Sequence, residues 1–266
     1  MSRNPGTELG TKIVIRDVDL VYQGRNSEYG DVIALKDINF SVYENEIVTV
    51  VGPSGCGKTT LLFLVAGLLK PTRGEILVDE EKVTGPSSQR VVVFQEDAVF
   101  AWLTVTGNLE YGLKLKGVSS SKRKEIVSHY IKLVGLEGFE SAYPKELSGG
   151  MKKRVDIARC YAINPNVLLM DEPFGSLDVI TKERMQMELL RIWRTERKTV
   201  CFVTHDIEEA LFISQRIVIL SNRPGKVKRI VKVPFKEDRD LSLKTSDKFQ
   251  DLRKELWYEI SEEVIS

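Results

Sequence analysis

Short apolar runs rich in β-branched residues recur along this chain, and one long stretch in the middle lacks them. Residues 13–22 alternate and predict a strand, and residues 33–42 predict a second. Two strands in such close succession suggest an antiparallel sheet beside the main one. Residues 43–45 read as a turn, and residues 46–51, apolar and β-branched, as a buried strand. Residues 61–69 predict a buried helix closed by Lys70 and Pro71. Residues 74–78 and 90–94 return to the strand pattern. From about 96 to 165 the period becomes helical, with helices expected at 105–115, 121–134 and 149–162. The β/α alternation then resumes: a strand at 167–170, a helix near 182–194, and strands at 199–203 and 216–220. Phe249, Leu252, Leu256, Trp257, Ile260 and Val264 recur at helical spacing and predict an amphipathic helix, packed on the domain's own surface or against a partner.

This pattern predicts an α/β protein with a mixed, mainly parallel sheet, an N-terminal antiparallel β part and a helical subdomain inserted at about 96–165. The main domain is expected over 11–233 and an extension over 234–266. Residues 1–10 read as a loose terminus and 24–30 as a polar loop.

Between the strand at 46–51 and the helix that follows stands Gly52-Pro53-Ser54-Gly55-Cys56-Gly57-Lys58-Thr59-Thr60. It fits G-x-x-x-x-G-K-[ST], the phosphate-binding loop, in its required strand–loop–helix setting. Glycines let successive N–H groups point inward and leave room for phosphate, and the helix start adds partial positive charge. Lys58 supplies a full charge to the β- and γ-phosphates, and the Thr59 hydroxyl can ligate Mg²⁺. The loop alone says ATP or GTP.

Composition narrows little. The 266 residues carry 39 Lys+Arg against 38 Asp+Glu, so charge makes no argument for nucleic acid or an anionic membrane. No apolar run nears the ~18 residues a bilayer span needs. The polar N-terminus does not read as a signal peptide. Cys56, Cys160 and Cys201 are far apart and lack metal-ligand spacing, so they read as reduced thiols of a cytosolic protein.

Two further stretches carry chemistry. Leu168-Leu169-Met170-Asp171-Glu172 is an apolar strand ending in two carboxylates. Asp171 there can hold Mg²⁺, and Glu172 can take a proton from a water attacking the γ-phosphate. Leu147-Ser148-Gly149-Gly150-Met151 opens a basic helix whose start offers N–H groups and a hydroxyl to an anion. Ser148 as an ordinary helix cap is the plainer reading, but it leaves the two glycines without a purpose.

Taken in order, Gly52 to Thr60, Gln95, Leu147 to Met151, Asp171-Glu172, Ser176-Leu177-Asp178 and His205 resemble the motif set of ABC transporter ATPases, over nearly the whole chain to about residue 225. Met151 stands where that family usually carries Gln, a departure shared by a branch of importer ATPases. The resemblance implies a phosphate-loop NTPase core, ATP and Mg²⁺ as ligands, and two such domains paired head to tail. ATP would then lie between one subunit's phosphate loop and the other's signature segment. It further implies that Ser148, Gly149 and Gly150 face the opposite subunit's ATP and that Asp178 contacts the opposite site. Gln95 would be a Mg²⁺ ligand, His205 would position Glu172 and water, and Tyr22 would stack on adenine. Tyr22 otherwise reads as an ordinary strand aromatic, and His129 receives no role.

Residues 94–105 and 221–227 resemble the nitrate, sulfonate, taurine and bicarbonate importer branch, with Ala101 replacing a usual proline. The implied setting is the cytoplasmic face of a membrane, with a separate permease and an extracytoplasmic binding protein. Phe100 and Trp102 would meet the permease, in an apolar run at 100–103 that should be buried somewhere. Rival readings are a soluble ABC ATPase acting on nucleic acid or in translation, an exporter subunit, and a regulatory nucleotide-binding module without turnover. Intact Lys58, Asp171, Glu172 and His205 argue against the last.

Overall fold

The computed structural model describes residues 10–24, 30–96 and 98–265. The expected loose terminus and polar loop therefore lie almost wholly outside the described residues, as does the side chain of Val264.

Strands β1 (Thr11–Tyr22) and β2 (Val32–Tyr43) pair antiparallel. A four-stranded sheet in the order β2-β1-β4-β5 follows, completed by β4 (Arg73–Val78) and the short β5 (Glu81–Lys82). The main sheet runs β10-β9-β3-β8-β7-β6. Its strands are β3 (Ile47–Val51), β6 (Arg90–Val93), β7 (Val167–Asp171), β8 (Thr199–Val203), β9 (Arg216–Leu220) and β10 (Val227–Lys232). All its pairings are parallel except β10 on β9. Every residue of β3, β7 and β8 is buried, as parallel strands covered on both faces require.

Helix α1 (Lys58–Ala66) lies between the two sheets. Leu61, Leu62, Leu64 and Val65 join Ile13, Leu35 and Ile38 on one side and Val48 and Val50 on the other. The helix starts and stops earlier than its apolar pattern predicts, because left-handed Gly67 closes it before Lys70. The strand expected at 90–94 likewise stops at Val93, and Phe94 is exposed.

The middle of the chain is helical: α2 (Val105–Leu115), α3 (Ser120–Leu133) and α4 (Gly149–Ala162). Their buried faces share one core with α5 (Val179–Glu196), α6 (Ile207–Ile213) and α7 (Asp247–Ile265) against the second face of the main sheet. The apolar pattern does not predict α6 or β10. Two turns are too short to display a period, and Lys228, Arg229 and Lys232 mask an edge strand.

The extension folds back on its own chain. Phe249 and Leu256 of α7 are fully buried, and Leu252 and Ile260 pack beside them. Trp257, which the helical spacing places on the same face, instead points outward at 55% exposure. Ahead of α7, Arg239 is buried and donates through Nη1 to the carbonyls of Leu211, Phe212 and Ser214, capping the end of α6. Burial lowers its pKa to about 10.

Candidate active site

The phosphate-loop residues lie at the C-terminal end of β3, where parallel strands present their loops. Gly57 caps α1 with φ of 100°, and a Cβ there would stand 2.7 Å from the Leu35 side chain, so only glycine fits. The first amides of α1 have no partners within the helix and form the anion-binding end. Lys58 is 6% exposed, and its ammonium donates to the carbonyls of Gly52 and Pro53, both at 2.9 Å. Cys56 is buried with a free thiol whose pKa burial raises, so it serves by its backbone.

Asp171 ends β7, which is separated from β3 by β8 rather than lying beside it. The Thr59 hydroxyl bridges that gap, donating to Asp171 Oδ1 at 2.8 Å. Burial pushes the Asp171 carboxyl up; the Thr59 hydrogen bond opposes this, the Glu172 charge reinforces it, and Lys58 opposes it. These oxygens fit Mg²⁺, which takes one or two protein groups and completes its shell with phosphate oxygens and water. Among the described residues no group of three or more His, Cys, Asp or Glu gathers as an all-protein cage.

Glu172 holds a left-handed backbone, φ of 42°, a conformation costly for a non-glycine residue and concentrated at functional sites. Its N–H donates to the Val203 carbonyl at 2.9 Å, and its carbonyl accepts from Gly175 N at 3.0 Å. The turn aims the carboxylate at His205, whose Nδ1 lies 2.8 Å from Glu172 Oε2. An ionised carboxylate only accepts, so the proton of this bond belongs to Nδ1, leaving Nε2 free to face a ligand. His205 follows β8, and Asp206 next to it caps α6, accepting from Glu208 N at 2.9 Å and Glu209 N at 3.2 Å. Gln95 reaches the same turn: its Nε2 lies against Gly175.

One cavity of about 270 Å³ is lined by part of this set, whereas Asp171, His205 and Gln95 stand outside its lining. Tyr22, Val32 and Ala34 line one side, the phosphate loop forms the floor, and Glu172 stands at the other end. The Tyr22 hydroxyl lies 3.2 Å from Thr60 Oγ1, and its ring is half exposed, as a stacking surface must be. Arg223, which no motif singled out as a site residue, lines the same cavity.

Residues 35–175 match the ABC transporter family. The chain belongs to that family. It is 51% identical to an uncharacterized ABC transporter ATP-binding protein of Methanocaldococcus jannaschii, over 88% of this chain and 86% of that one. The nitrate import ATP-binding protein of Synechocystis sp. is 46% identical over 95% of this chain and 93% of its own. An aliphatic sulfonates import ATP-binding protein of Bacillus cereus is 46% identical over 87% of this chain and 90% of its own. Among solved structures, the dimeric structure of a bacterial ABC transporter cassette superposes with a TM-score of 0.71 at 33% identity, covering 84% of this chain and all of that one.

The remaining ABC motifs lie apart from the cavity. Ser148 caps α4, its Oγ accepting from Met151 N at 3.3 Å, and Asp178 caps α5, accepting from Thr181 N at 3.1 Å. None of Ser148, Gly149, Gly150 and Asp178 lines the cavity that holds Lys58 and Glu172. Gly150 has a use within one chain, since a Cβ there would stand 2.8 Å from the Thr181 methyl, whereas a Cβ on Gly149 would meet only the Leu177 side chain at an ordinary 3.7 Å. Hydrogen bonding from Thr181 lowers the Asp178 carboxyl below its ordinary range.

The expected burial of residues 100–103 is corrected. Ala101 is exposed and Trp102 is 71% exposed, while Phe100 is partly buried. Phe100 is held from beneath: Asn108 accepts from its N–H at 2.8 Å and donates to its carbonyl at 3.2 Å. Its ring packs against Tyr111 and Trp102, with centroids 4.6 Å and 5.3 Å away, and lies 4.9 Å from the Arg159 guanidinium. The outcome is an aromatic step presented on the surface. Motif reading also overlooked Lys153, which is fully buried and donates to the carbonyls of Phe94 at 3.0 Å and Gln95 at 3.2 Å.

Proposed function

We propose that this chain binds and hydrolyses ATP as the energising subunit of an ABC importer for small anions of the nitrate or sulfonate kind. The observation that carries the reading is the single cavity lined by Tyr22, by the phosphate loop and by Glu172 in contact with His205. Tyr22 stacks on adenine, and Gly52 to Thr60 wrap the phosphates. Thr59, Asp171 and Gln95 hold Mg²⁺, which when bound neutralises phosphate charge. Glu172 takes the proton of the attacking water, with His205 fixing the carboxylate's direction.

Ser148, Gly149, Gly150 and Asp178 serve the ATP of a second copy, which accounts for their distance from this chain's cavity. The dimeric cassette structure supports that reading. The relatives named for nitrate and aliphatic sulfonates import support an importer. The catalytic unit spans 11–233 with a helical subdomain at about 96–165, and 234–266 is an extension braced on α6. Among the described residues no helix is long and apolar enough to cross a membrane. The likeness to import ATP-binding proteins supports a chain that works from the cytoplasmic face through a separate permease. An extracytoplasmic binding protein delivers the substrate.

The test is Glu172→Gln, which keeps shape and removes the base. With ATP and Mg²⁺ it should release no phosphate and elute as a dimer in size-exclusion chromatography, reverting to monomer without nucleotide. Wild-type phosphate release by the variant would overturn the assignment of the base. A variant that binds ATP and stays monomeric at saturation would overturn the shared site.

A further inference from the structure

We infer that Arg223, in the turn between β9 and β10, is a positioning residue that clamps the phosphate loop in its nucleotide-binding form. The inference rests on the ATP reading above. The guanidinium donates twice to one backbone atom, from Nε at 3.2 Å and Nη2 at 3.0 Å to the carbonyl of Gly55. A phosphate loop works by turning N–H groups inward, so its carbonyls turn outward. Gly55 has φ of 78°, and its carbonyl shares a rigid peptide plane with the Cys56 N–H. Pinning that oxygen fixes the whole plane. In the same turn the Cys56 N–H donates to the Pro53 carbonyl at 3.3 Å.

The turn that carries Arg223 is itself held on three sides. Gly225 N donates to the Ala34 carbonyl, and Lys36 N donates to the Gly225 carbonyl, both at 2.9 Å. A Cβ on Gly225 would stand 2.1 Å from the Cys56 carbonyl oxygen, so the turn and the phosphate loop touch backbone to backbone. From the far side, Glu263 of α7 accepts from Asn222 N at 3.0 Å and pairs with Lys228 at 2.7 Å. The C-terminal helix thus braces the turn, the turn braces Arg223, and Arg223 braces the phosphate loop. The bidentate fork needs arginine; an ammonium keeps the charge and one contact. The guanidinium also lines the cavity, adding positive charge beside the phosphates.

The experiment compares wild type, Arg223→Ala, Arg223→Lys and Glu263→Ala by calorimetric ATP binding, steady-state hydrolysis and thermal unfolding without nucleotide. Arg223→Ala should raise the Kd for ATP on the order of tenfold, as loss of charge-assisted hydrogen bonds predicts. Turnover at saturating ATP should fall less than threefold, and Tm should hold within about 2 °C because the side chain is exposed. Arg223→Lys should recover part of the affinity, and Glu263→Ala should lose affinity in the same direction but less. An Arg223→Ala Kd within twofold of wild type would overturn the inference, as would an affinity loss that merely tracks a large fall in Tm. Wild type that binds no ATP would sink the underlying reading instead.

Discussion

The ammonium of Lys153, on the helix opened by the Ser148 cap, donates to the backbone carbonyl of Gln95 at 3.2 Å. The same group holds the Phe94 carbonyl at 3.0 Å, and Arg159 one face further along α4 holds the Ala98 carbonyl at 2.7 Å. The segment bearing Gln95 is thereby tied to the helix whose start is the signature segment. A shift of either end must move the other. Lys153→Met removes a buried cation next to Asp156, which stands 3.9 Å away with Arg159 at 2.7 Å on its other side. Breaking one partner of a buried ionic group costs about 3–5 kcal/mol, so Tm should fall by roughly 6 °C or more. Gln95→Ala, which leaves the tether intact, should hold Tm within about 2 °C and lower Mg²⁺-dependent turnover. Differential scanning calorimetry beside a phosphate-release assay separates the two.

Lys58 is the buried charge of the phosphate loop. Its ammonium donates to the carbonyls of Gly52 and Pro53 within the loop, where phosphate oxygens would compete for it. Lys58→Ala should reduce turnover on the order of 10²–10³-fold, the scale for removing one preorganised charge from a transition state, and should weaken ATP binding. Thr59→Ala should act differently. It deprives buried Asp171 of its hydroxyl donor, so the Mg²⁺ concentration for half-maximal activity should rise while nucleotide binding without Mg²⁺ stays close to wild type. Wild-type turnover in Lys58→Ala would remove the phosphate-loop assignment.

The sequence was most legible where one residue type has one physical use. The glycine–lysine–threonine loop, the carboxylates ending an apolar strand, and helices α2 and α4 stand where their patterns place them. Contacts made by cations were not legible. In Lys152-Lys153-Arg154 all three read as a polar face, yet only Lys153 is fully buried. Arg223 stands in the sequence only within the 221–227 stretch that resembles the importer branch, and only the fold brings its side chain to Gly55. The aromatic run at 100–103 misled in the opposite sense. Its hydrophobicity argued burial, but Asn108 and Arg159 hold its backbone and ring at the surface, so Trp102 has nothing to sink into.

Asp206 links stability to pH. It follows His205, caps α6 and accepts from Lys182 at 2.7 Å. Burial works to raise its carboxyl, but the Lys182 contact and the two cap amides outweigh this and lower it. A lowered folded-state pKa contributes stability that is full above the unfolded value of about 3.9 and is lost as pH falls through the folded value. Asp206→Asn keeps a capping oxygen but no charge, so its stability deficit at pH 7 should shrink as pH falls below about 4. Asp206→Ala removes the cap as well and should cost about 1 kcal/mol more than the Asn variant. Denaturant melts of the three proteins from pH 3 to pH 7 read this directly, and a deficit independent of pH would contradict it.

Trp102 decides whether the aromatic step is a docking surface. Phe100, Trp102 and Tyr111 form a chain of ring contacts on α2 and the loop before it, with Arg159 behind Phe100. A residue that packs its own core would be buried, whereas Trp102 is 71% exposed, so its removal should cost the isolated subunit little. Trp102→Ala should therefore shift Tm by less than about 2 °C and leave the basal ATPase of the purified subunit near wild type. A large exposed aromatic on a rigid base suits an interface hot spot, whose truncation costs about 2 kcal/mol or more. That loss corresponds to roughly thirtyfold weaker association with the permease. Uptake and substrate-stimulated ATPase in the assembled transporter should fall accordingly. Because Lys153 and Arg159 tie this loop to α4, the same variant should also uncouple stimulation from nucleotide binding, which itself stays intact. Normal uptake by Trp102→Ala would refute the docking role, and a large fall in Tm would return the residue to its own fold.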